Sequence, residues 1–278
     1  MGKFERLRFG YYGLDLNMDF FTSTSIDSPL GLALLVVLGV ITGSVAGILG
    51  IGGGLLIVPM LTLWPMALVQ ATATSLLGVM VSAISGSWRN WQQGELNLRR
   101  SILLGLFGLP TAQVGAWLAN QVSDRILAFL FAAFLVSMII LVAWKKRIQP
   151  GPSSPQSESW GIPTIGLLAG LLSGLFGVGG GSVMVPLQMI ALGEPIKSAV
   201  RTSLGAIALV AMSGLIRYGI QGNVLWLPGC ALALGGMVGV QIGTRVLRRL
   251  SSDRVNQWFR ALLILLALYM IWRGVRGR

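Results

Sequence analysis

"GILGIGGGLLIVP", residues 47 to 59, sets three consecutive glycines inside an otherwise apolar run, and "GLFGVGGGSVMVP", residues 174 to 186, does so again. A glycine costs roughly 1 kcal/mol against alanine in a helix interior, so Gly52, Gly53 and Gly54, and likewise Gly179, Gly180 and Gly181, predict a break in a helical segment. Interrupted backbone in hydrocarbon leaves N–H and C=O groups unpaired at several kcal/mol each, so each break must be buried in protein or line a cavity. Each is followed by a short apolar stretch, "LLIVPM" or "SVMVPL", whose first N–H groups would point back at the break with partial positive charge. Two such ends could face one central anion. The competing reading is close helix packing through small residues, for which Gly43, Gly47, Gly50 and Gly54 keep the required spacing.

The recurrence extends well beyond the glycines. At an offset of 127 positions Gly43 matches Gly170, Gly47 matches Gly174 and Pro59 matches Pro186. At an offset of 128, Thr74–Ser75–Leu76 matches Thr202–Ser203–Leu204, Arg89 matches Arg217, and Gln113 matches Gln241. The chain is a duplication. The expected organisation is a polar tail (1–29), a first transmembrane repeat (30–144), a Pro/Ser-rich linker (145–161), a second repeat (162–273) and a basic tail (274–278).

Composition sets the solvent. Of 278 residues, 54% are hydrophobic and 11% charged, against roughly 25% charged in soluble domains. Several windows stay apolar for about 18 residues or more, enough to span a hydrocarbon core of ~30 Å, and none alternates as a barrel strand would. The expected fold is an all-α membrane protein of two homologous halves. Each half is a glycine-broken segment, re-entrant or singly crossing, followed by three transmembrane helices. The flanking Lys and Arg divide 12 to 8 for inverted repeats and 13 to 7 for parallel ones, leaving out Arg260, so charge does not choose. Inverted repeats are preferred by analogy with transporters that carry matched interrupted helices.

The net charge of +12 sits mostly beside hydrophobic segments, which points to topology and anionic lipid headgroups rather than to nucleic acid. There is no histidine, and the one cysteine, Cys230, reads as a small packing residue. Neither a His/Cys metal site nor an internal disulfide can be assembled, and no cofactor is expected. None of the nine acids falls in the middle of a span, which argues against carrying cations or relaying protons through carboxylates. No nucleophile–base pair appears in the spans, so an enzyme is the weakest reading.

The basic and hydroxyl residues are the candidates for holding an anion. Arg89 and Arg217 close equivalent spans and could fork onto an oxyanion or snorkel to the membrane face. Arg201 precedes two hydroxyls, and its counterpart is Ala73. Thr74, Ser75, Thr202 and Ser203, with Ser182 just after the second break, could donate to ligand oxygens or cap helices. Gln113 and Gln241 lie within spans and either line a cavity or staple helices. Most tryptophans, Trp64 among them, fall near span ends as interface anchors.

The duplicated pattern from Gly43 to Pro59 and from Gly170 to Pro186, each followed by a run ending in Thr–Ser–Leu, resembles the sulfite exporter TauE/SafE family over residues 30 to 273. The resemblance implies a multi-pass bacterial inner-membrane permease for a small sulfur-containing or organic anion such as sulfite, a sulfonate or thiosulfate, working by alternating access. Residues 1–29 lie outside it, and the chain reads as lacking an export signal. Alternatives are an anion channel and a membrane assembly subunit that transports nothing. The partners implied are the anion and membrane lipids, with a homo-oligomer compatible.

Overall fold

A computed structural model describes residues 25–144 and 155–276. Among them it contains ten helices: α1 (Pro29–Leu49), α2 (Gly54–Leu61), α3 (Leu68–Gln92), α4 (Leu98–Ala119), α5 (Asp124–Trp144), α6 (Pro155–Phe176), α7 (Gly181–Ala191), α8 (Ile196–Ile220), α9 (Trp226–Arg249) and α10 (Ser252–Arg276). Six of these, α1, α3, α4, α6, α8 and α9, are long and apolar enough to cross a membrane by length and composition.

Local sequence sets the helix ends. Ser28 caps α1, its Oγ accepting the Gly31 N–H at 3.0 Å, and Pro29 supplies a preset φ in the first turn. Gly50 stops α1 in the left-handed region at φ 69°, its N–H donating back to Ala46 O at 2.8 Å. Asn97 caps α4 by accepting the Arg100 N–H at 3.1 Å. Pro155 starts α6 inside the segment expected to be linker, because proline at a first helical position gives up no hydrogen bond. The rest of that linker, 145–154, lies outside the described residues, as does most of the N-terminal tail. The expected C-terminal tail is helical through Arg276.

The first helix of each half packs on the third span of the other half through glycine. On α1, Gly39 backs onto Leu232 and Gly236, Gly43 onto Gly236, and Gly47 onto Val240 and Thr244, so α1 and α9 run the same way. A Cβ at Gly235, Gly239 or Gly243 would overlap the carbonyls of Val36, Val40 or Ser44. The matching seam joins α4 to α6, where Gly170 and Gly174 press on the carbonyls of Gly108 and Ala112. Small residues thus bring backbones into contact where apolar area alone gives no drive in lipid.

Register also fixes direction. Gly78 lies by Leu232 and Gly86 by Val240, so α3 runs with α9 and α1. Ser101, Gly105 and Gln113 on α4 reach Thr202, Leu209 and Ser213 on α8, so α4 runs with α8, and with α6. The turn at 93–97 reverses the chain between α3 and α4. Since α1 and α3 start at the same end of the bundle, α2 carries the chain back toward that end. α5 and α10 pack on each other at the flank. The start of α5 is tied to α3 by Asp124 Oδ2, which accepts the Leu68 N–H at 2.9 Å.

Two side chains depart from expectation. Cys230 is exposed on α9 rather than packed, and Trp64 is 4% exposed, part of the core rather than an interface anchor. The tryptophans that face outward include Trp88, Trp91, Trp160 and Trp226.

Candidate functional site

The two breaks meet at the centre of the bundle. At the first, Gly50, Gly52 and Gly53 take φ 69°, 74° and 84°; at the second, Gly177, Gly179 and Gly180 take 69°, 72° and 77°. A side chain at these angles is strained, so the sequence needs glycine there. The breaks approach each other reciprocally. A Cβ on Gly54 would overlap the Gly177 carbonyl, and one on Gly181 would overlap the Gly50 carbonyl. Gly52 and Gly179 both face Val79 of α3 and Ile207 of α8, equivalent residues that are fully buried. Residues 46–59 and 176–186 are buried throughout. The cavity expected around the breaks is therefore closed in this structure, plugged by Val79 and Ile207.

The buried backbone is nonetheless rich in unused donors. Among the described residues, the N–H groups of Ile51, Gly52, Gly53, Gly54 and Leu55 have no acceptor in hydrogen-bonding geometry, nor do those of Val178, Gly179 and Gly180. Such groups are normally paired, and a run of them at a helix start is suited to negative charge. The Ser182 Oγ is also buried without a partner. Pro59 and Pro186 add to the polarity, since neither can donate to the carbonyl four residues before it, at Leu55 or Ser182.

The hydroxyl candidates divide. Ser75 reaches the opposite break, its Oγ donating to Gly177 O at 2.9 Å and to Thr72 O at 2.8 Å. Its counterpart Ser203 accepts instead from Gln188 Nε2 at 2.8 Å, and Gln188 Oε1 is left unpaired. Thr74 lies two turns inside α3 rather than at its start, and its Oγ1 accepts the N–H of Leu225, the residue before α9, at 3.1 Å. The Thr202 Oγ1 is buried and unpaired.

The remaining candidates lie away from the centre. Arg89 Nη1 donates to Gln241 Oε1 at 2.8 Å, and Gln241 Nε2 donates to Ser85 O at 3.0 Å and Ser85 Oγ at 2.8 Å. Toward the opposite end, Gln113 Nε2 donates to Ser213 O at 2.8 Å and Ser213 Oγ at 3.1 Å. Both glutamines thus staple helices. Arg201 pairs with Glu95 at 3.0 Å on the turn before α4, so its charge is matched by an acid. Arg217 has no hydrogen-bond or ion-pair partner among the described residues, and its Nε is buried.

Sequence reasoning missed several participants. Val79 and Ile207 had no polar signature. Ser85 and Ser213 recur at the 128-residue offset and could have been found with the glutamines. Tyr218 is fully buried, its Oη donating to Gly174 O at 2.7 Å, but its counterpart is Asn90. Gln188 was hidden for the same reason, since its counterpart is Leu61.

Known proteins are similar to this chain in sequence over most of its length. "Probable membrane transporter protein YunE" of Bacillus subtilis is 29% identical over 272 residues, covering 88% of this chain and 99% of its own. A "Probable membrane transporter protein" of Methanocaldococcus jannaschii is 28% identical, covering 86% and 95%. One from Xylella fastidiosa is 27% identical, covering 85% and 93%. No solved structure matches the chain. The profile described as sulfite exporter TauE/SafE matches residues 35–270, which takes in both breaks and nearly all of both repeats, and the chain belongs to this family of membrane transporters.

Proposed function

We propose that the chain is a permease that moves a small oxyanion (sulfite, thiosulfate, a sulfonate or a related organic anion) across the inner membrane by alternating access. The observation that carries the reading is the pair of buried runs of N–H donors without acceptors, brought together from both halves. In a low-dielectric interior such donors favour an anion and offer nothing to a cation. Ser182 adds an uncommitted hydroxyl at the second break, Thr202 and Ser203 carry further hydroxyls on α8, Ser75 ties α3 to the second break, and Arg89 and Arg217 attract charge at the two ends. The Val79 and Ile207 plugs support a carrier in an occluded state over an open channel.

The helix directions support inverted repeats, because α3 and α8 occupy equivalent places and run in opposite senses. On that reading Arg89, Arg99, Arg100, Lys197, Arg201, Arg245, Arg248, Arg249 and Arg254 share the cytoplasmic end. The membrane potential would then favour expelling an anion, at ~2.3 kcal/mol per charge per 100 mV.

The test is purified full-length chain against sulfite, thiosulfate, small sulfonates, small carboxylates and matched inorganic cations. At least one oxyanion should raise the unfolding temperature and enter vesicles carrying the protein with saturating kinetics. Stabilisation by none of the anions, together with no uptake above empty vesicles, overturns the reading.

A further inference from the structure

The two ends of the bundle carry the same polar device in different conditions. Toward one end, Gln241 of α9 is held by Ser85 of α3, and its oxygen receives Arg89 at 2.8 Å. Ser85 Oγ in turn faces Met237 O at 3.4 Å. With its amide oxygen turned to Arg89 Nε at 3.1 Å, Gln93 gives that arginine a second acceptor. Toward the other end the equivalents are Gln113 of α4, Ser213 of α8, Leu109 and Gln221. Gln113 is held by Ser213, and Ser213 Oγ donates to Leu109 O at 2.8 Å, which repeats the first network. Only the arginine differs. Arg217 Nε and Gln221 Oε1 are both buried and unpaired, and Gln113 Oε1 receives nothing among the described residues. One end is latched and the other holds the same parts with the latch undone.

We propose that Gln241 and Gln113 are the gate residues of the transport cycle, each gripping the arginine of the opposite half only while its own end of the bundle is shut. The grip alternates: Arg89–Gln241 is made here, and Arg217–Gln113 forms, with Gln221 as second acceptor, when Arg89 lets go. Each latch joins a helix of one half to a helix of the other (α3 to α9, α8 to α4), the pairs that must part for an anion to reach the breaks. The glutamines are positioning residues and do not touch the substrate. This rests on the transporter reading for its meaning, but the exchange itself needs no substrate.

The test places single reporter cysteines one turn beyond each glutamine, Thr244→Cys and Ala116→Cys, on a Cys230→Ser background. Both positions are equivalent and buried, at 2% and 0% exposure. Labelling by a charged maleimide is followed on purified full-length protein. Gln241→Leu should speed labelling at Thr244→Cys by about tenfold, the order expected for one charge-assisted hydrogen bond, and slow it at Ala116→Cys. Gln113→Leu should do the reverse. Arg89→Ala and Arg217→Ala leave both glutamine–serine bonds intact and should reproduce the same opposed shifts. A merely structural role predicts faster labelling at both reporters or at neither, and either result overturns the proposal. Opposed shifts in a protein that carries no oxyanion would sink the transport reading and leave the gates standing.

Discussion

At the break between α1 and α2 the chain turns through φ 69°, 74° and 84°; between α6 and α7 it turns through 69°, 72° and 77°. The side chains do not follow this agreement. Where the second half has Ser182, Gln188 and Arg201, the first has Leu55, Leu61 and Ala73. The duplication has kept the backbone and let the lining diverge. A site made of N–H groups depends on chain path alone, so both halves can supply it whatever their side chains. Side-chain polarity is then available to make the two halves unequal: among the described residues, three buried unpaired hydroxyls (Ser173, Ser182 and Thr202) lie in the second half and one (Ser87) in the first.

The sharpest way to break this comparison is at the reciprocal contact. Gly54→Ala and Gly181→Ala each drive a Cβ into a backbone carbonyl of the opposite break, and although the Val79 or Ile207 side chain beside it can yield, the backbone cannot. Both should cost at least about 3 kcal/mol, read as loss of folded, monodisperse protein, and both should abolish uptake. A fully active Gly54→Ala protein would mean the breaks do not meet this way.

A smaller effect separates Gly180 from Gly53. Both adopt positive φ, so alanine at either should cost about 1–2 kcal/mol. At Gly53 the nearest atom to a Cβ is 3.4 Å away, whereas at Gly180 it is Ala169 O at 2.8 Å. Gly180→Ala should therefore melt below Gly53→Ala by an added clash of about 1 kcal/mol or more. Equal melting would show that backbone strain alone sets the cost.

The arginines test the two ends. Arg89→Gln removes a donor from Gln241 and should destabilise by about 1.5–3 kcal/mol. Arg217→Gln removes a cation with no partner among the described residues and should leave the melting temperature near that of the parent while weakening anion uptake. If both variants melt alike, the difference between the ends has no energetic content.

These contrasts also mark how far the sequence could be read. The two breaks, the duplication and the approximate helix limits follow from glycine placement and apolar length, because both are written locally. The pairing of Gly54 with the Gly177 carbonyl joins residues that are far apart in the chain, and no local pattern announces it. Gln113 and Gln241 were visible as amides in apolar spans. Which of their two expected roles they fill depends on Ser85 and Ser213, which meet them only after α3 packs on α9 and α8 on α4. Arg201 stood as a candidate beside two hydroxyls, and nothing local announced that the turn before α4 would bring Glu95 to within 3.0 Å of it.

The smallest stability effect bears most directly on why the halves differ. Ser182 Oγ is buried with no acceptor or donor, in the first turn of α7, where the first half has Leu55. A hydroxyl buried this way loses its hydration and gains nothing from the protein, so Ser182→Ala should leave stability unchanged or raise it by up to about 1 kcal/mol. If the hydroxyl awaits an anion, the same variant should lower apparent affinity several-fold, as a rise in KM larger than the fall in kcat, since the lost bond is made to bound substrate. A protein that gains stability and keeps its KM would reduce Ser182 to a tolerated defect of the second repeat. The donors at the breaks would then have to hold the anion through the backbone alone, equally from both halves.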